Sequence, residues 1–354
     1  MTKRRKIMNR VIKYCMAGFG NVGVRFTRLL LEKSVELAAV YGCEMCLTAV
    51  CTRSKGTLMN PNGLDLEKVL AMNEKLGRFD EADPSFVRCD TKTMIEEADA
   101  ELLIELTTLS IDDGEPAASY IKEALDRGMH VITANKGPEA WRFDEIDALA
   151  REKGRMFLYE TIVMDGAPIF NLVREALRGN KIFGIKGILN GTTNFILGEL
   201  EKGGTYEEAI KEAQRRQLAE ADPSMDVDGW DGAAKICALA NILMRAKTNP
   251  RQAQVESVAK IGCGDIEAAR EKGCRIKYIC RAEPDVENSG VRLSVRPELL
   301  PLNDPLANVN GTSAAITLYT DLAGEISIVQ TDPGILQTAY GLYSDLLTLI
   351  KDTK

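Results

Sequence analysis

Short apolar runs alternate with longer stretches in which apolar residues recur every three or four positions. Residues 11–17 form a strand-length run, and a helical pattern covers residues 24–37. Residues 46–51, 101–107, 129–133 and 155–159 read as further strands. Helical patterns over 116–127 and 143–153 lie between them. Strands alternating with helices predict an α/β fold built on a doubly wound parallel sheet. The polar segment 60–84 interrupts the rhythm and is expected to hold an irregular excursion with a short helix at 65–76.

Beyond residue 160 the pattern changes. Helices are expected at 168–178, from 191, at 206–217 and at 231–243, and strands at 182–189, 276–282, 291–295, 314–319 and 325–329. These strands belong to a second sheet in an α+β arrangement. A last helix at 334–351 is expected to fold back onto the first domain. The expected division is 1–155 for the first domain, 156–330 for the second and 331–354 for the returning helix.

A chain of 354 residues exceeds what one hydrophobic core usually supports, in keeping with two domains. Its 45 % hydrophobic and 27 % charged residues are ordinary for a soluble enzyme. A net charge of −7 argues against a nucleic-acid partner, which needs a basic face. The basic start at residues 1–6 has no long apolar segment after it and reads as a solvated tail. No run approaches the ~20 apolar residues of a membrane span, so no membrane partner is expected. Nine scattered cysteines, an odd number, fit free thiols in the cytoplasm. Cys43 and Cys46 have zinc-like spacing but no second pair, and the sole histidine, His130, is distant. His130, Trp141 and Trp230 read as packing residues.

Candidate chemistry begins at Gly18-Phe19-Gly20-Asn21-Val22-Gly23, between the first strand and its helix. Gly18 permits a tight turn, Gly20 lets a pyrophosphate approach the backbone, and Gly23 lets helix pack on sheet. A plain glycine-rich turn is the bland alternative, and the strand–loop–helix setting favours a dinucleotide. The second strand then runs into Arg53-Ser54-Lys55. No acid is present for a ribose 2′-hydroxyl, and two cations are. That favours NADP over NAD, though a solvated polar turn at longer than usual spacing would look the same.

The stretch 219–235 carries Glu220, Asp222, Asp226, Asp228, Asp231 and Lys235 in a turn entering an apolar helix. Asp231 and Lys235, four apart, share one helix face. An acid–base pair against apolar surface is a place for proton transfer. Taken singly, Lys235 could be a helix lysine lying along the core and Asp231 a helix N-terminal acid. Thr107, Thr108, Asn135 and Lys136 follow strands at the carboxyl end of the sheet, where open α/β folds bind ligands. A surface turn is the alternative for Lys136.

With these pieces in order, the chain resembles homoserine dehydrogenase over most of its length. The resemblance rests on the glycine loop, residues 133–136, 159–168, 187–194, 219–235 and 305–311. It implies a Rossmann domain, an α+β substrate and dimerisation domain, and a homodimer. It also implies NAD(P)-linked interconversion of L-aspartate 4-semialdehyde and L-homoserine, without zinc. Neither a fused kinase nor a C-terminal regulatory domain is expected.

By resemblance Lys235 is the proton donor, with Asp231 its acidic neighbour and Lys136 at the cofactor–substrate junction. Glu220 holds the substrate amino group, and Asp226 and Thr192 make further substrate contacts. Gly334 lies near the nicotinamide. Glu160, Val163, Asp165 and Ala167 match a loop that binds a monovalent cation such as sodium, mostly through carbonyls. Gln217-Leu218 stands where the family usually has Gly-Tyr, which leaves room for a related dehydrogenase acting on another small amino or hydroxy aldehyde. A non-catalytic NADP-binding sensor is the third reading.

Overall fold

A computed structural model of the chain describes residues 9–287 and 289–353. The basic tail at residues 1–6 lies outside them. The first sheet contains β1 (Arg10–Ala17), β2 (Cys43–Thr52), β3 (Gly56–Met59), β4 (Phe86–Val87), β5 (Leu102–Glu105), β6 (His130–Thr133) and β7 (Phe157–Leu158), in the order β4-β3-β2-β1-β5-β6-β7. The five strands from β2 to β7 across this sheet run parallel. Buried on both faces, β1 and β5 carry near-continuous apolar runs rather than an alternation. The sheet departs from the expected all-parallel pattern at one edge, where β3 and β4 add antiparallel. These strands are too short to leave a period in the sequence.

Helices α1 (Asn21–Glu36), α2 (Leu66–Leu76), α3 (Thr91–Glu97), α4 (Ala117–Asp126) and α5 (Lys136–Glu152) connect the strands. Asp65 caps α2 by accepting from the Glu67 and Lys68 amides, so the expected excursion helix forms where its capping residue places it. α5 starts well before the expected residue 143. Asn135 caps it through the Gly137 amide, Pro138 is tolerated in the first turn, and the backbone bends at Arg142 (φ −134°, ψ 16°). Lys136 therefore opens a helix instead of sitting in a surface turn.

The second half holds α6 (Ile169–Asn171), β8 (Ile182–Ile188), α7 (Gly191–Glu201), α8 (Tyr206–Arg215), α9 (Ser224–Val227), α10 (Trp230–Met244), β9 (Gln254–Val255), α11 (Cys263–Glu271), β10 (Cys274–Asp285), β11 (Gly290–Pro301), β12 (Ala314–Thr320), β13 (Gly324–Gln330) and α12 (Ile335–Asp352). Its six-stranded sheet has the order β13-β12-β8-β10-β11-β9 and is antiparallel except where β9 joins β11. α12 returns to the first sheet as expected: Ala339, Leu342 and Leu346 share a core with Phe26 and Leu30 of α1.

The junction of the two halves is α10. Its Ala, Cys and Ile residues and Leu239 are buried, and it packs on α5 as well as on β8, β10 and β11. Cys237 Sγ donates to the Ala140 carbonyl at 3.3 Å and Asn241 Nδ2 to the Glu139 carbonyl at 3.1 Å, so small and polar residues let α10 approach α5 closely. Trp230 corrects the sequence reading: it is 37 % exposed, because it opens α10 ahead of the buried stretch. His130 is buried in β6 as expected. All nine cysteines are free, and Cys263 alone is exposed. Among the described residues no helix is long and apolar enough to cross a membrane.

Candidate active site

At the carboxyl end of β1 the chain turns at Gly18, whose φ is +97°. A Cβ there would lie 2.4 Å from the Leu106 carbonyl oxygen, so only glycine fits. Gly20, the residue before α1, offers no side-chain cap and has open space where a Cβ would stand. The first amides of α1, from Asn21, Val22 and Gly23, therefore meet no capping side chain. Gly18 and Gly20 border a cleft of about 910 Å³ that also takes in Phe19, Arg53, Ser54, Lys55, Thr107 and Thr108 but not Asn21, Val22 or Gly23. Arg53 and Ser54 are exposed to it. The Phe19 ring instead packs on Phe79, with centroids 5.9 Å apart, leaving its backbone to face the cleft. The Lys55 ammonium is engaged within the wall, donating to the Phe19 carbonyl at 2.7 Å and to Asn73 Oδ1 at 2.6 Å.

Glu105, which the sequence reading did not single out, organises the strand ends beneath this cleft. It is fully buried, and its carboxylate accepts from the Thr107 amide at 2.7 Å, from the Thr107 hydroxyl and from the Thr133 hydroxyl at 2.8 Å. Burial pushes its carboxyl up, against these hydrogen bonds. Asn135 adds a bond from Nδ2 to the Thr107 carbonyl at 3.2 Å. Thr107, Thr133 and Asn135 are thus held as one unit.

A second pocket of about 860 Å³ shares Thr108 with the cleft and is lined by Val163, Asp165, Thr192, Leu218, Glu220, Asp226, Asp231 and Lys235. Asp231 sits between two ammonium groups: Oδ1 lies 3.1 Å from Lys136 Nζ and Oδ2 lies 3.1 Å from Lys235 Nζ. The side chains are 14 % exposed for Asp231 and 17 % for each lysine, so solvent screens them little. Lys235 also donates to the Leu189 carbonyl at 2.7 Å. Burial alone would raise the Asp231 carboxyl, but the two lysines and Asn190 outweigh it and hold it well below the usual carboxylate range. Burial likewise opposes the charge on Lys235, and Asp231, Asp165 and Asp226 more than offset it, for a net shift upward. Asp226 is pushed up, first by burial and then by the Asp231 charge.

Thr192 is buried and donates to the Leu218 carbonyl at 2.8 Å. Glu220 is exposed on the loop before α9, with its carboxylate at the pocket mouth. Asn190, whose side chain bridges Asp226 and Asp231, lies in the 187–194 segment and has no role assigned to it from sequence. Its signal was an Asn between a strand and a Gly-Thr-Thr helix start, the mark of a cap.

The candidate cation loop runs beside this pocket. Val163 and Ala167 are buried. Glu160 is buried too. Its carboxylate accepts from the Phe170 and Asn171 amides at 2.8 and 2.7 Å, its own amide donates to Asp345 Oδ2 at 2.8 Å, and burial pushes its carboxyl up to about 7. Asp165 has φ +46° and accepts from the Thr338 hydroxyl of α12 at 2.6 Å. Among the described residues no group of three or more His, Cys, Asp and Glu side chains could hold a metal. Gly334 caps α12, its amide donating to Gln337 Oε1 at 3.0 Å.

A glycine turn at the mouth of a parallel-sheet cleft, joined at Thr108 to a pocket lined by the Lys235 ammonium and by a carboxylate that a second ammonium, Lys136, pairs from behind, is the plan of a nicotinamide-dependent oxidoreductase. Sequence comparison makes the class specific. Residues 168–347 match the homoserine dehydrogenase family model, and residues 18–160 match the model of the homoserine dehydrogenase NAD-binding domain. The chain belongs to the homoserine dehydrogenase family. It is 34 % identical to the NAD(+)-dependent homoserine dehydrogenase of Pseudomonas canavaninivorans, with 95 % of each chain covered. It is 36 % identical to a homoserine dehydrogenase of Methanocaldococcus jannaschii, covering 96 % of this chain and 98 % of that one. The structure of a hyperthermophilic archaeal homoserine dehydrogenase in complex with NADPH matches with a TM-score of 0.80 at 26 % identity, over 97 % of this chain and 98 % of that one.

Proposed function

We propose that the protein reduces L-aspartate 4-semialdehyde to L-homoserine and prefers NADP to NAD. The observation that carries this reading is the largely buried Lys136–Asp231–Lys235 cluster, whose Asp231 and Lys235 line the second pocket that adjoins the cleft at Thr108. The Gly18 turn, closed to any Cβ, and the uncapped start of α1 fit a dinucleotide pyrophosphate. When bound, the nicotinamide supplies the hydride.

Hydride addition builds negative charge on the aldehyde oxygen. The Lys235 ammonium stabilises that charge and gives up its proton, while Asp231 and the Leu189 carbonyl keep it aimed. Lys136, on the far side of Asp231, serves the cofactor–substrate junction. Glu220 takes the substrate ammonium, and Asp226 and Thr192 complete the contacts. Because Lys55 is committed to Phe19 and Asn73, Arg53 with Ser54 carries the contact to a 2′-phosphate.

The same reading includes a monovalent cation such as sodium, held by backbone carbonyls of Glu160, Val163, Asp165 and Ala167. The left-handed turn at Asp165 supports a loop bent for that purpose. It also includes a homodimer. Phe183 and Tyr319, tilted rings with centroids 6.4 Å apart, and Val329, 54 % exposed, leave apolar surface on the second sheet for a second copy. Free thiols throughout support a cytoplasmic setting. The domain division is that of residues 1–155, 156–330 and 331–354.

The test is oxidation of NADPH, and separately of NADH, with L-aspartate 4-semialdehyde and a panel of other small aldehydes. Lys235→Met should lose about a hundredfold or more in kcat. Faster turnover with NADH, a better substrate in the panel, or an active Lys235→Met would each remove the corresponding part of the proposal.

A further inference from the structure

Asn190 stands between β8 and α7 and is 6 % exposed. Its side chain works in two directions. Oδ1 caps α7, accepting the Thr193 amide at 2.9 Å and the Thr193 hydroxyl at 3.1 Å. Nδ2 donates to Asp226 Oδ1 at 2.7 Å and to Asp231 Oδ2 at 2.9 Å. The cap settles which way the amide points. A flipped side chain would set its NH₂ against the helix amide and its oxygen against two carboxylates, unfavourable on both sides.

The amide is the group that lets these two acids share one site. Asp226 and Asp231 both lie within hydrogen-bond distance of a single nitrogen, so their charges face each other at short range. Each of the two amide hydrogens meets one carboxylate. Next in the chain, the Leu189 carbonyl takes the Lys235 ammonium at 2.7 Å. One dipeptide at the end of β8 therefore touches Asp226 from α9 and both Asp231 and Lys235 from α10. The other charged groups facing the cluster are Lys136 from α5, 3.1 Å from Asp231, Asp165 from the turn before α6, and Glu220 and Asp222 from the loop before α9, which line the same pocket.

We propose that Asn190 is a positioning residue for the reaction: its amide keeps Asp231 directed at the two lysines and keeps Asp226 apart from it, ionised and free for substrate. This rests on the functional reading above. It adds a role for a side chain that touches neither substrate nor cofactor in that reading.

Two substitutions separate this role from helix capping. Asn190→Ser retains a capping oxygen but is too short to bridge the acids. Asn190→Asp caps as well as Asn and places a third carboxylate against the other two. Melting temperatures of Asn190→Ser and wild type should agree within a few degrees. The kcat/KM for the aldehyde should fall about ten- to hundredfold, the scale seen when an outer partner of a functional group is lost. Removing a donor to an ionised carboxylate raises its pKa, so the acid limb of the kcat/KM profile should move to higher pH, and further still in Asn190→Asp. A purely structural Asn190 would lower the melting temperature without moving that limb.

Wild-type kcat/KM and an unmoved acid limb in Asn190→Ser would overturn the proposal while leaving the functional reading in place. Should the wild-type enzyme fail to reduce the aldehyde, that reading falls instead. The positioning role is then decided by NMR titration of isotope-labelled carboxyls, assigned with Asp226→Asn. An upward shift of Asp226 in Asn190→Ser supports it, and an identical titration refutes it.

Discussion

Replacing Asp231 by Asn exchanges a carboxylate for an amide of nearly the same shape, between two ammonium groups that each lie 3.1 Å from one of its oxygens. With the ~2 Å width of the carboxylate, the two nitrogens are at most about 8 Å apart. At an effective dielectric of ~20 they repel by about 2 kcal/mol, a repulsion the carboxylate now masks. Removing one partner of a buried ion pair costs about 3–5 kcal/mol in all. Against a typical domain stability of ~5–15 kcal/mol, Asp231→Asn should fold but melt lower.

The pH dependence of that loss has a definite sign. Asp231 is depressed in the fold, so its stabilisation is present above the unfolded value near ~4 and fades in acid. The gap in melting temperature between wild type and variant should therefore be widest near neutrality and close at low pH. The effect on Lys235 runs the other way. Asp231 is the strongest influence raising that ammonium against its burial, so the variant lysine should lose its proton at lower pH. In an NADPH-coupled assay, kcat should fall about a hundredfold and the basic limb of the reductive profile should move down. Cofactor fluorescence should show binding within a few-fold of wild type, because Gly18 and the α1 amides are untouched. A variant with wild-type kcat and an unmoved basic limb would refute the idea that Asp231 sustains the proton donor.

Three further perturbations read other parts of the structure. Gly18→Ala forces a side chain onto a φ of +97° with its Cβ 2.4 Å from the Leu106 oxygen, so cofactor binding should be lost and stability should drop by roughly 1–3 kcal/mol; tight NADPH binding by the variant would contradict the cradle. Arg53→Gln removes an exposed guanidinium from the cleft and should lower kcat/KM about tenfold with NADPH but leave NADH unchanged, and an unaltered ratio would reassign the 2′-phosphate contact. His130 accepts the Met156 amide at 3.0 Å, and burial with the Arg155 charge holds its imidazole down at about 4, against ~6.5 when unfolded. The unfolded chain then binds the extra proton, so stability should fall by up to ~3 kcal/mol as pH drops from ~6.5 to ~4, and His130→Asn should flatten that slope in denaturant titrations.

What could be read from the sequence was whatever a local period encodes. The β1–loop–α1 unit was legible because an apolar run, a glycine triplet and a helical pattern adjoin. Asp231 and Lys235 were legible as a pair because four residues make one helix turn. The last helix was legible as a helical pattern near the end of the chain, and its apolar side packs on the core of the first sheet. Partners distant in the chain left no such trace. Nothing in the segment around Lys136 announces that its ammonium meets Asp231, and its Gly-Pro step reads as a turn until Asn135 is seen to cap α5. Lys55 looks like a phosphate ligand in sequence and is bound by Phe19 and Asn73 in the fold.

The cluster exists because α10 packs against both halves, and its composition is what permits this. Gly232, Ala233 and Ala234 are buried, as are Cys237 and Ala240 further along. A Cβ on Gly232 would already lie 3.0 Å from Cys280 Sγ and from Val295, so the first turn packs this closely on the second sheet only because no side chain stands there. On its other side Cys237 and Asn241 reach the α5 carbonyls of Glu139 and Ala140 directly, within one turn of Lys136. Overpacking a buried site typically costs about 1–3 kcal/mol, and here the strain would be relieved by moving α5 and α10 apart. That displacement would open the contact of 3.1 Å between Lys136 and Asp231, so the small residues of α10 are as much a part of the site's geometry as the charges they bring together.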